Sequence, residues 1–172
     1  MGVTIHFEGR LRGPAAMEKL LQFARQFASR RGWTATEINE ANVKLLRVDE
    51  NEKDCDYVGP VSGLKLIPGS GCEPIKLEFD NTLYVQEWTK TQFAGTEMHV
   101  TVCDFLHAIE QYFETFKVND EAEYWDRSDI VLLKQYFTDC DRVIEQLRQE
   151  HPTAKVKVEE PSGRIVDIIT YD

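Results

Sequence analysis

No stretch of this chain is apolar for long enough to cross a bilayer as a helix: its longest apolar runs are a few residues, against the roughly 20 that a span requires. Its four cysteines, Cys55, Cys72, Cys103 and Cys140, contain no CxxC pair, and two of them fall inside helical patterns where a thiol acts as a small hydrophobe. Disulfides and a closed zinc knuckle are therefore not expected. Also missing are a GxSxG elbow, an HExxH helix, a dinucleotide-type GxGxxG and the lysine of a P-loop. The start, MGVTIHFEGR, alternates like a strand rather than like a signal peptide. A soluble, cytoplasmic protein without a membrane partner or a resident cofactor is the expectation.

Basic residues are outnumbered: 20 Lys and Arg face 30 Asp and Glu, giving a formal charge of −10. The imbalance is uneven, with six basic and two acidic groups in residues 1–35 and fourteen against twenty-eight afterwards. Because nucleic-acid affinity comes largely from cations neutralising phosphates, so acidic a surface argues against nucleic acid as a partner. It favours a basic protein or another cation. Charge of this sign also serves plain solubility.

At 172 residues the chain is long enough for one domain, burying roughly 70% of the surface its unfolded form exposes. Val3, Ile5, Phe7 and Leu11 alternate with polar residues and predict a half-buried strand. Gly13-Pro14 breaks it and opens a helix over 14–31, in which Met17, Leu20, Leu21, Ala24, Phe27 and Ala28 recur at three and four before Gly32 ends it. Extended segments follow at 43–48 and 57–67 around an acidic loop, 49–56. Ile75, Leu77 and Phe79, a turn at Asp80-Asn81 and a return over 83–88 read as a hairpin.

The second half turns helical. Val102, Leu106, Ile109, Phe113 and Phe116 form a stripe predicting a helix over 97–117, with Thr96 as its N-cap. Ser128 is placed to cap another over 129–150, which stops at His151-Pro152. Two short strands then flank the turn Glu160-Pro161-Ser162-Gly163. The order β-α-β-β-β-β-α-α-β-β predicts a single-domain α+β fold, with a mainly antiparallel sheet packed against helices.

Leu77-Glu78-Phe79, Lys90-Thr91-Gln92-Phe93, Glu97-Met98-His99 and Asp120-Glu121-Ala122-Glu123-Tyr124-Trp125 resemble segments of a bacterial protein family of unknown function, over about residues 75–128. The resemblance implies a bacterial source and carries no activity, cofactor or catalytic residue.

Chemistry-bearing side chains concentrate between Lys90 and Asp126. His99, Cys103 and His107 recur every four residues, with Glu110 three further on, so at about 100° per residue they fall within roughly 80° of one another. That arc also flanks the apolar stripe, where a histidine and a thiol are more often packed and hydrogen-bonded, and no metal site is assigned. Cys72, in the glycine-rich loop 69–74, is the thiol expected to meet solvent, but its neighbour Glu73 would raise rather than lower its pKa. Glu121 and Glu123, beside Tyr124 and Trp125, make the best local candidate: carboxylates over an aromatic floor. The site residues expected on this basis are His99, His107, Glu121, Glu123, Tyr124 and Trp125.

Two functions of different class follow. One is a non-catalytic module with an acidic surface that binds a protein or a small ligand through the loop 120–126, with homodimerisation through sheet edges or a helical face left open. The other is a small enzyme using His99 or His107 with Glu121 or Glu123 as acid and base in a cleft between sheet and helices. Converging polar groups in a cleft would favour the enzyme, and a closed core with those groups dispersed would favour the module.

Overall fold

The computed structural model describes residues 2–169. Antiparallel sheets and helices make up an α+β fold, as the periodicity predicts. Strand β1, Thr4–Leu11, is followed by helix α1, Pro14–Arg31, which opens on its proline and stops where Gly32 turns left-handed at φ 69°. Strands β2 (Thr34–Leu45), β3 (Tyr57–Ile67), β4 (Ile75–Phe79) and β5 (Tyr84–Lys90) precede helix α2, Thr96–Ile109. After a short 3-10 turn come strand β6 (Phe113–Asp120), the single-turn helix α3 (Tyr124–Arg127), helix α4 (Ile130–Glu150) and a closing hairpin of β7 (Lys155–Glu159) and β8 (Ile165–Ile169).

The strands distribute over three sheets rather than one: β5-β1-β6, β2-β3-β4 and the hairpin β7-β8. The expected hairpin at Asp80-Asn81 is a turn between sheets, because β4 pairs with β3 while β5 pairs with β1. Asp80 shapes the turn through its own carboxylate, which accepts from the Thr82 amide at 2.7 Å and the Tyr84 amide at 3.1 Å. One core joins the two larger sheets: Ile5, Phe7 and Val85 meet Leu64, Leu77 and Phe79, and α1 and α2 close over them with Leu20, Ala24, Phe105 and Leu106. Helix α4 covers a smaller cluster, setting Leu133, Phe137 and Cys140 against Val3 and Ala122. Asp129 caps it, accepting from Val131 and Leu132, one residue beyond the Ser128 expected in that role.

Helix α2 ends at Ile109, eight residues short of the predicted 117, and Phe113–Asp120 is a strand on β1. The cause is a bulge. Phe116 faces Gly9 and Phe113 faces Leu11, with Glu114 as the extra residue, so two phenylalanines three apart reach the same side. A strand thereby imitates the helical spacing. The bulged strand also runs so close to β1 that a Cβ on Gly9 would lie 2.3 Å from the Thr115 carbonyl oxygen.

Candidate ligand-binding groove and the buried histidine behind it

The residues expected to form one site divide between the interior and the surface. His99 is fully enclosed. Its Nδ1 lies 2.7 Å from the Thr91 hydroxyl and its Nε2 3.0 Å from Asp120 Oδ2. Asp120 Oδ1 accepts from the Ala122 amide at 2.9 Å and Oδ2 also from the Trp125 amide at 3.0 Å. Burial alone would raise this carboxyl, but His99 and the two amides outweigh it and hold the group below the usual carboxylate range. The chemistry is that of a brace: one carboxylate fixes the loop 120–126 to α2 from beneath.

His99, Cys103 and Asp120 also place their donor atoms within 4.8 Å of one another. Both histidine nitrogens and both carboxylate oxygens are already hydrogen-bonded, while burial, then the charges of Asp120 and Asp104, push the Cys103 thiol up. With these bonds made, His99 and Asp120 form a hydrogen-bonded part of the core.

The other expected residues are dispersed. His107 stacks on the Trp125 ring at 3.6 Å and 8°, with Glu110 4.0 Å away. Glu121 accepts from the Thr4 amide at 3.0 Å and turns its other oxygen to His6 at 3.7 Å. Glu123 has a left-handed backbone, φ 58°, and pairs with Arg127 one turn on, at 3.2 Å. Tyr124 packs edge-on to His99. Neither His99 nor His107 therefore meets Glu121 or Glu123. The histidine that does meet Glu121 is His6, which is not among the expected site residues. Cys72 is buried and its thiol pushed up to about 12 by burial, whereas Cys55 is the exposed thiol; all four cysteines are free.

A larger feature lies on the outer face of the β5-β1-β6 sheet. Period-two alternation buries Ile5, Phe7 and Leu11 and turns His6, Glu8 and Arg10 outward. Pairing sets these in rungs across three strands: Trp88, His6 and Asn119; Gln86, Glu8 and Lys117; Tyr84, Arg10 and Thr115. Glu8 Oε2 accepts from the Tyr84 hydroxyl at 2.6 Å and from Gln86 at 2.9 Å. Burial raises the Glu8 carboxyl, but these bonds and Lys117 more than offset it and leave the group below its ordinary value, hence ionised at neutral pH.

Residues 46–56 lie over this face as a strap, held to β5 through Gln86 and reaching Lys117 of β6 through Glu50 at 3.6 Å. The Gln86 side chain clamps it, donating to the Val48 carbonyl at 2.9 Å and accepting from the Val48 amide at 3.0 Å. Arg47 pairs with buried Asp80, its guanidinium lying about 5 Å from the Tyr57 and Tyr84 ring centres at 5.3 and 5.0 Å. Asp49 closes the strap's tip by accepting from the Asn51 and Lys53 amides. Between strap and sheet lies an open groove of about 1820 Å³, with Trp125 among its lining residues. Leu46, Val48 and Trp88, three of the chain's exposed large hydrophobic residues, also line it.

The rungs of the groove join residues more than 70 positions apart, beyond the reach of any local sequence pattern. The available signal was the polar half of the β1 alternation, His6, Glu8 and Arg10. The chain matches no protein family, no curated protein and no solved structure, so what the groove does must be argued from its own residues.

Proposed function

We propose that this protein is a binding module that holds a protein segment or small ligand, without transforming it, in the groove between the strap 46–56 and the outer face of the β5-β1-β6 sheet. The observation carrying this reading is three exposed hydrophobic side chains, Leu46, Val48 and Trp88, gathered on one concave surface among polar groups. Exposed apolar residues collected beside polar ones mark interaction surfaces. The loop 120–126 takes part at one end through Trp125, supported from below by Asp120.

The enzyme alternative rests on His6 and Glu121, an exposed pair at 3.7 Å, since His99 is closed to any substrate. Four free thiols agree with a reducing, cytoplasmic setting, and among the described residues no helix is long and apolar enough to cross a membrane. Amide shift mapping with a panel of peptides, polyamines, oligosaccharides and nucleotides tests the reading, with mass spectrometry of each recovered compound. At least one compound should shift His6, Glu8 and Trp88 and return unchanged. Turnover abolished by His6→Ala or Glu121→Gln would replace the module with the enzyme, and a panel that leaves the groove unshifted would overturn the site.

A further inference from the structure

Resting on the groove reading above, we infer that its ligand is an extended, cationic peptide segment carrying lysine or arginine beside apolar residues. Size is the first argument. A groove of about 1820 Å³ exceeds the roughly 300–1,000 Å³ typical of small-molecule pockets, and a chain segment fills such a trough better than a metabolite does. Three strands at about 4.8 Å spacing give a face roughly 10 Å across, wide enough to seat one extended chain.

Charge is the second argument. Seven lining residues are Asp or Glu and two are Lys or Arg. One of those two, Arg47, is committed to buried Asp80, so it offers little to an incoming anion. Among the carboxylates, Glu87 is held by Arg164 at 2.6 Å, Asp56 by Lys44 at 3.0 Å and Glu50 by Lys117 at 3.6 Å, while Asp49 accepts from the Asn51 and Lys53 amides. Glu52 and Asp54 are exposed on the strap, and Glu8 lies opposite on the sheet with one oxygen engaged by Tyr84 and Gln86. Carboxylates on both walls suit cations spaced along a backbone, and they repel phosphate.

Apolar residues decide between a peptide and a simple polycation. A polyamine has no side chains for Leu46 and Val48, which are 74% and 47% exposed, whereas a peptide residue between two lysines does. A sugar would need free aromatic faces for stacking. His107 lies against Trp125 at 3.6 Å, and the Arg164 guanidinium sits over Trp88 at 4.0 Å, so each ring already has one face covered.

The full chain is titrated with four probes, followed by amide shifts: an unstructured peptide of about twelve residues of lysine, leucine and glycine, long enough to cross the face, its glutamate counterpart, spermine and a neutral oligosaccharide. The lysine peptide should shift His6, Glu8, Trp88 and Lys117. It should bind about tenfold more weakly to the Glu8→Gln/Glu52→Gln/Asp54→Asn variant and to Trp88→Ala, as expected on losing central contacts. Both variants should keep the core resonances of Phe105 and Leu106. Affinity should also fall as salt rises. If spermine, the glutamate peptide or the oligosaccharide binds the groove at least as tightly, the groove is a site but the peptide assignment is overturned. Peptide binding elsewhere, or undiminished in both variants, overturns the assignment as well. If no probe shifts the groove, the inference and the module reading fall together.

Discussion

Two histidine–carboxylate pairs stand side by side in this molecule and do opposite things. His99 and Asp120 meet at 3.0 Å with neither side chain exposed, while His6 and Glu121 stand 3.7 Å apart with 47% and 41% of their side chains exposed. Asp120 and Glu121 are neighbours in sequence at the end of β6, where successive side chains point to opposite faces. One enters the core and organises a loop, and the next faces solvent near the groove. Side-chain chemistry alone therefore does not assign a role; the face of the strand does.

Removing a partner from the buried pair should have the largest effect. Asp120→Ala takes the acceptor from His99 Nε2 and from the Ala122 and Trp125 amides, leaving His99 only its Thr91 contact. It should cost about 3–5 kcal/mol in urea unfolding. Acid should act through the same group. Because folding depresses the Asp120 carboxyl, its stabilisation is complete above the ordinary carboxylate pKa of about 3.9 and is lost as pH falls through the lower folded-state value. A plot of stability against pH should accordingly be flatter below about pH 4 in Asp120→Asn than in wild type.

Gly9→Ala comes next. It puts a methyl group against the Thr115 carbonyl and the Phe113 ring, which would lie 2.3 and 2.9 Å away, beneath the groove and beside the bulge. A loss of about 1–3 kcal/mol is expected, the usual cost of overpacking, and an unchanged melting temperature would show that β6 does not run as described.

The exposed pair should matter least to folding. A double-mutant cycle of His6→Ala and Glu121→Gln should give a coupling of no more than about 1 kcal/mol, as for other surface pairs. A coupling as large as that of the buried pair would erase the contrast between them. Thiol chemistry sharpens the same division of inside from outside. A thiol reagent should modify Cys55 alone in the folded protein and all four cysteines after denaturation. Rapid native labelling at Cys72 would restore the solvent-facing loop that its glycines suggest.

Much of the fold was legible in the sequence because its signals are local. The α1 stripe from Met17 to Ala28, the Gly13-Pro14 break and the Gly32 stop all act within a few residues of where they are written. The failures were those of distance and of mimicry. Phe113 and Phe116 are three apart and look helical, yet a bulge opposite Arg10 and Leu11 turns them to one face of a strand. Nothing near Asp80 reveals that its two flanking strands join different sheets. The candidate site was legible in part. Trp125 and the carboxylates of 120–126 were picked out, but the groove beside them needs Glu8, Gln86 and the strap, which only the tertiary fold brings together.

The most direct test of the division between brace and groove measures stability and lysine-peptide binding on the same two variants, Asp120→Asn and Trp88→Ala. Asp120→Asn should unfold at a clearly lower temperature yet, while folded, lose far less peptide affinity than Trp88→Ala. Trp88→Ala, which removes a side chain that is 42% exposed, should melt within a few degrees of wild type and lose most of its affinity, as a hot-spot residue does. Normal binding by Trp88→Ala together with lost binding by folded Asp120→Asn would contradict the account and move the functional site to the buried histidine.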